Sequence, residues 1–208
     1  MTDSLNKKIT QLCSLPAVSE ALSLLRTKLP SHLHYHAYSH TEDVLGEVVK
    51  LALLDSLAER DVELLAVAAA WHDVGFIYSN SSNEPLAARQ MRDTVGPLAL
   101  YSDAELTTIE QMILDTALIP DGETFKQHAS NPLSRYLLDA DLANFGRDDF
   151  FEKSELQRLE SNELEQTFRH KTLSLVRNHR WLTKAAHTLW QVKKEQNLQA
   201  LESSLRPC

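Results

Sequence analysis

Apolar residues recur at three- and four-residue intervals along nearly the whole chain, and glycine is too scarce to punctuate strands. Glycine is confined to Gly46, Gly75, Gly96, Gly122 and Gly146, Asn-Gly hairpin dipeptides are absent, and no strand pair is expected. Residues 5–28 carry Leu5, Ile9, Leu12, Leu15, Leu22 and Leu25 at helical spacing and are read as one helix ending before Pro30. Ser39 and Glu42 have capping-box spacing, which predicts a helix over 39–58. The stretch 61–72 is apolar nearly all round, the mark of a buried central helix. Asn83 and Pro85 open a helix that stops at Gly96-Pro97. Ser102 and Glu105 cap another, running to about Leu118, and Asn131-Pro132 begins a shorter one ending near Asp141. Residues 147–205 read as two or three long helices rich in Glu, Lys, Arg and Gln. No internal repeat or low-complexity tract interrupts the pattern, so the expected fold class is all-α.

A chain of 208 residues fits one domain with at most a helical extension. Area scaling lets roughly 70% of its surface be buried, enough for a core without covalent staples. The composition, 43% hydrophobic and 24% charged, is that of a globular chain. Cys13 and Cys208 lie at opposite ends without CxxC spacing, which argues against a disulfide scaffold or zinc knuckle and points to a reduced, cytoplasmic setting. No apolar run approaches 18 residues and the N-terminal MTDSLNKKITQ lacks a hydrophobic segment, so neither a membrane span nor a secretory signal is expected. A net charge of −8 argues against binding nucleic-acid polymers, yet a small anion could be received by a metal cation.

The residues that carry chemistry fall in three places. His32, His34, His36 and His40 cluster before or at the start of a helix. His72-Asp73 ends the most apolar helix, followed by Gly75, and Asp139 and Asp141 interrupt an apolar stretch. Imidazole and carboxylate are the nitrogen and oxygen donors that divalent Mn, Co, Ni, Zn or Fe take, and a bound cation is one natural partner for such groups when buried. His36 and His40, four apart, can share one side of a cleft. Adjacent His72 and Asp73 cannot share a helix face, so the helix must end or turn there, with Gly75 as the permissive backbone.

In order and spacing, Tyr35-His36-Ala-Tyr-Ser-His40, Ala70-Trp-His72-Asp73-Val-Gly75 and Leu138-Asp139-Ala-Asp141-Leu142 resemble the HD-domain superfamily of metal-dependent phosphohydrolases. The resemblance spans roughly residues 30–145. It implies a single HD-type helical bundle with additional C-terminal helices: an N-terminal helix over 1–29, a metal-binding core over 30–146, and an extension of the same domain over 147–208. It also implies His40, His72, Asp73 and Asp141 as metal ligands, and His36 as the group that protonates the leaving oxygen. Glu84 matches a Glu that positions water in many HD proteins, with Asn83 where a His commonly precedes it; a Glu in the first turn of a helix is equally explained by the helix dipole. The segment 113–118 lacks the histidine that multi-metal relatives place there, which favours one tightly bound divalent ion (Mn, Co, Ni, Zn, Fe or Mg).

The expected function is hydrolysis of a small phosphate ester or anhydride, a nucleotide foremost, by attack of metal-bound water, with Asp73 and Glu84 assisting His36. A non-catalytic module sensing a metal or nucleotide is the alternative, and a di-iron oxygenase a further one. Arg89 and Arg147 are candidate phosphate clamps. Thr116 could line the site, and Asp139 reads as a supporting or capping group. His170, His179 and His187 read as solvated, and Trp181 and Trp190 as packing the C-terminal helices onto the domain. Substrate identity and oligomeric state are left open.

Overall fold

The computed structural model describes residues 2–122 and 124–205, so Cys208 lies outside the described residues; Cys13 is a free thiol. The fold is all-α. Its helices are α1 (Thr2–Cys13), α2 (Pro16–Lys28), α3 (Tyr38–Leu54), α4 (Glu59–Trp71), α5 (Asn83–Val95), α6 (Asp103–Asp115), α7 (Ser134–Asp141), α8 (Phe150–Ser161), α9 (Glu165–Asn178) and α10 (Lys184–Ser204). Short 3-10 turns follow α4, α5 and α7. None of the described helices is long and apolar enough to cross a membrane.

The core is built around α4. Every residue from Leu64 to Gly75 is buried, and α2, α3, α6 and α7 surround the helix. Ala66, Ala68, Ala69 and Ala70 supply strong helix propensity while keeping the surface thin enough for neighbours to approach. Trp71 closes the helix and donates its indole N–H to the Ala17 carbonyl at 2.7 Å, which ties α4 to α2. Each fully buried large side chain here, such as Leu45, Leu65 or Ile109, contributes about 1.5–3 kcal/mol by leaving water.

Three local expectations need correction. Residues 5–28 form two helices, because Pro16 has no N–H to extend α1 and instead occupies the start of α2 behind an extended Leu15. The Ser39–Glu42 capping box does not form: α3 begins one residue earlier, with Ala37 at the cap, and Tyr38 is held by the Arg26 guanidinium, 2.6 Å from its hydroxyl. A small antiparallel hairpin pairs β1 (Ile119–Asp121) with β2 (Thr124–Lys126), and Gly122 in its turn has φ +65°. Asp121-Gly122 is itself a hairpin dipeptide, so this signal was present in the chain. By contrast, the Ser102–Glu105 capping box forms with both reciprocal bonds.

The C-terminal helices are bolted to the core by polar groups at close backbone approaches. Asp139 on α7 is fully buried; it accepts the N–H of Leu182 (2.9 Å) and both the N–H and hydroxyl of Thr183 (2.8 Å each), just ahead of α10. Burial pushes its carboxyl up to about 6, against the pull of those donors. Asn197 on α10 donates to the carbonyls of Phe145 (3.0 Å) and Arg147 (2.8 Å) on either side of Gly146. A Cβ on Gly146 would stand 2.2 Å from the Cβ of Trp190 and 2.7 Å from its carbonyl oxygen, so glycine is required by contact. Trp181 and Trp190 are buried against one another, with ring centroids 5.1 Å apart.

His179 departs from the solvated reading. It is 7% exposed, edge-on to Trp181 and Phe145, with both ring nitrogens unpartnered. Burial, then the nearby Lys194 and Arg180 charges, push its pKa down to about 3.

Two outcomes follow from these contacts. Gly146→Ala is expected to cost about 2–3 kcal/mol in urea unfolding, whereas Gly46→Ala, whose new methyl meets nothing nearer than 3.9 Å, should gain about 0.5–1 kcal/mol. Equal stability of Gly146→Ala and the native chain would show that α10 does not bear on that glycine. His179 stays neutral in the folded chain while its unfolded counterpart protonates below about 6.5, so the stability this residue contributes is complete above that value and falls with acidification. Between pH 7 and 5.5 this contribution falls by about 1 kcal/mol, so the stability of His179→Phe relative to the native chain should rise by that amount across the interval.

Candidate metal centre

Three chain segments converge at the buried end of α4. His40 lies in the first turn of α3, its N–H bonded to the Ala37 carbonyl at 2.9 Å. His72 is the C-terminal cap of α4, Asp73 follows with φ −102° and ψ 3°, and the chain then tightens into a 3-10 turn over Val74–Ile77. This change of backbone turns two adjacent side chains toward one point, as the sequence requires. Asp141 is the last residue of α7.

Gly75 is needed, though for a different reason from backbone permissiveness. It does not adopt a left-handed conformation. Instead the first residue of α5 presses on it: a Cβ there would stand 1.9 Å from the carbonyl oxygen of Asn83. That approach brings the Asn83 amide to 3.4 Å from Asp73 Oδ1 and carries Glu84 to the rim of the site.

His40, His72 and Asp73, all buried, each offer a ligand atom, and these atoms lie within 4.8 Å of one another; among the described residues this is the one such cluster. Asp73 Oδ2 is 3.2 Å from His72 Nε2 and 3.6 Å from His40 Nε2. Asp141 Oδ1 is 3.1 Å from His40 Nε2 and 3.7 Å from His72 Nε2. The Ala69 carbonyl, 2.7 Å from His72 Nδ1, can only accept, so Nδ1 carries a proton and Nε2 is the atom turned to the carboxylates.

Burial alone would lower the His72 pKa, but the Asp73 and then the Asp141 carboxylate outweigh it and raise it to about 9. Asp73 moves the opposite way: the adjacent His72 and the other nearby imidazoles hold its carboxyl well below the ordinary range, against desolvation. Even so, His72 Nε2 and Asp73 Oδ2 have no well-aligned hydrogen-bond partner. Two orphaned, facing donor atoms at zero solvent contact are costly as they stand, and a divalent cation between them would satisfy both. The residues therefore fit such an ion, with His40, His72 and Asp73 as donors and Asp141 beside them.

The cluster opens on a cleft of about 320 Å³ lined in part by Tyr35, His36, Phe76, Glu84, Thr116 and Gln157. The His36 ring stacks on Phe76, centroids 4.2 Å apart and planes 22° from parallel. Glu160 on α8 holds it from the other side, pairing with Nδ1 and accepting the N–H groups of Tyr35 (2.8 Å) and His36 (3.0 Å). Burial would lower the His36 pKa, but the Glu160 bond and the negative charge of Asp73, Glu160 and Asp141 raise it overall. Tyr35, buried behind His36, tilts over the His40 ring with centroids 4.6 Å apart.

The fold thus gathers His36, His40, His72, Asp73, Glu84 and Asp141 at one place. It sets others apart. Arg147 is engaged by Asp43 through two bonds (2.7 and 2.8 Å), by Glu47 and by Asp149, so it has no free fork for a phosphate. Arg89 is exposed on α5 beside Asp93. His32, His34, His128, His170 and His187 are exposed. Thr116 lines the cleft with its hydroxyl bonded back to Ile113 at 2.7 Å. Glu160 and Gln157 are contributions that the sequence pattern did not reveal, since Glu and Gln are common across residues 147–205 with nothing local to single these two out.

Compared with protein-family models and with curated proteins, the sequence matches none. The assignment therefore rests on the residues and their geometry.

Titration of chelator-treated protein with Mn²⁺ should show one ion per chain. At a hundredfold excess over Kd the ion should add about 2.7 kcal/mol of stability, visible as a rise in Tm that chelator reverses. Asp73→Ala should abolish the shift. An unchanged shift in that variant would place the cation elsewhere.

Proposed function

We propose that this chain is an HD-type metal-dependent phosphohydrolase acting on a small phosphate ester or anhydride. The observation that carries the reading is the buried His40–His72–Asp73 cluster with orphaned donor atoms, opening on a cleft whose wall holds a second, separately anchored histidine, His36. A divalent cation held there would polarise a phosphoryl oxygen and acidify a water molecule.

The chain's own residues supply the rest. Ala69 fixes the tautomer of His72 through Nδ1, which leaves Nε2 for the cation that His40, Asp73 and Asp141 would share with it. Glu160 and Phe76 clamp the His36 ring from two sides, leaving Nε2 as the nitrogen that meets a substrate. In the reaction a water oxygen bonds to phosphorus, and the bond from phosphorus to the leaving oxygen breaks with its electron pair passing to that oxygen. His36 Nε2 gives the leaving oxygen a proton, and Glu84 takes one from the water. The products are an alcohol (or a shortened phosphate) and inorganic phosphate.

A di-iron oxygenase has less support, because four donor groups fall short of the about six that carboxylate-histidine di-iron sites take. The sensor reading differs from the hydrolase in one measurable respect, turnover.

The test is hydrolysis of a panel of nucleotides, cyclic nucleotides and simple phosphoesters, read as phosphate or nucleoside release and, for the cyclic nucleotides, as ring opening to the monophosphate, using chelated protein resupplied separately with Mn, Co, Ni, Zn, Fe(II) and Mg. Turnover is expected with at least one metal and should be lost in Asp73→Ala. His36→Gln should lower kcat about 10²–10⁴-fold while still binding the ion. Stoichiometric metal binding without turnover of any ester would overturn the hydrolase reading in favour of a sensor.

A further inference from the structure

The metal cleft has a neighbour on the far side of His36. His36, Phe76, Leu118 and Gln157 also line a second cavity of about 350 Å³, so these four side chains form the boundary between two adjoining spaces. The far walls come from β2 and α9, where Phe125, Phe168 and Leu175 face the space. The ring that would hand a proton to the leaving oxygen therefore stands at the junction. A leaving group that takes its proton from His36 would lie against this shared boundary, next to the second space.

Its charge is equally informative. Lys171 is the one cationic side chain on its wall besides His36, and it is committed to Glu163 at 2.8 Å. Glu160, also on the wall, is paired with His36. The metal cleft has no Lys or Arg on its wall, and Arg147 is saturated elsewhere. A phosphate beyond the one at the metal would thus meet two carboxylates already paired with their cations and no uncommitted cation, so nothing on the wall is left to draw in a second anion. The aromatic and aliphatic walls instead reward a flat apolar body, for which ring-on-ring contacts add about 0.5–1.5 kcal/mol beyond burial.

We infer that the second cavity receives the leaving group, and that the substrate is a phosphate ester with a single phosphate and an uncharged, flat, largely apolar alcohol. This rests on the hydrolase reading and narrows it: nucleoside di- and triphosphates and open polyhydroxy phosphates are disfavoured. Phe168 and Leu175 on α9 then act as specificity residues contributed by the C-terminal helices, outside the segment that bears the metal donors.

The experiment measures binding as well as turnover. Mn²⁺-loaded protein is titrated with (1-naphthylmethyl)phosphonate, which cannot be hydrolysed, with methylphosphonate, and with pyrophosphate and orthophosphate. The naphthyl ligand should bind at least tenfold more tightly than methylphosphonate, and Phe168→Ala should reduce that ratio about tenfold. Phe168→Leu should retain most of it, which guards against a variant that merely unfolds. Glu163→Gln, which frees Lys171, should raise the ratio of pyrophosphate to orthophosphate affinity severalfold. The inference is overturned if the naphthyl ligand gains nothing over methylphosphonate, or if its advantage survives Phe168→Ala in a folded protein. Ring-dependent binding with no turnover of 1-naphthyl phosphate would sink the hydrolase reading and leave the cavity assignment standing. Turnover of that ester with KM and kcat untouched by Phe168→Ala would do the reverse.

Discussion

An imidazole and a carboxylate sit side by side at the end of a helix whose last eight residues, Leu64 to Trp71, are all apolar, and both are buried. Removing such groups from solvent is among the most expensive things a fold can do, and the mutual attraction of His72 and Asp73 compensates for it incompletely. His40 and Asp141 are drawn in from two other helices, yet an imidazole nitrogen and a carboxylate oxygen are left without well-aligned partners. The rest of the structure answers to this constraint. α4 must stop at Trp71, α5 must press on Gly75 to bring Asn83 to Asp73, and α7 must end where Asp141 can reach both rings.

The C-terminal helices belong to the same arrangement. Asp139, two residues before Asp141, anchors the chain entering α10, so the ion-pair cluster and the extension share one short helix as their hinge point. Glu160 reaches back from α8 to hold both the ring and the backbone of His36. A long acidic side chain from a remote helix thereby sets the orientation of the proposed proton donor. The helices beyond residue 147 are thus joined to the site on two sides, through α7 and through His36, and α9 adds the wall of the neighbouring cavity.

How far these features are legible in the chain depends on their range. The capping box at Ser102 and Glu105 is a local bond between residues three apart, and it forms as its spacing predicts. The Ser39–Glu42 pair has the same spacing and fails, because Arg26, from another helix, holds Tyr38 within the first turn. Pro16 and Asp121-Gly122 were local signals that outrank apolar periodicity, one splitting a helix and the other turning a hairpin. His179 looked solvated among Lys and Arg because sequence neighbours do not show that Phe145 and Trp181 close over it.

By itself, the sequence determined the all-α class, the buried central helix, and which histidines and carboxylates have the spacing to meet, since helical periodicity and residue chemistry are properties of short segments. The tertiary structure decided that Arg147 is spent on Asp43, that Glu160 rather than any histidine steadies His36, and that a second cavity adjoins the first. Those are contacts across about a hundred residues or more. Nothing in the local pattern encodes them, because they depend on how whole helices pack and not on what any one helix contains.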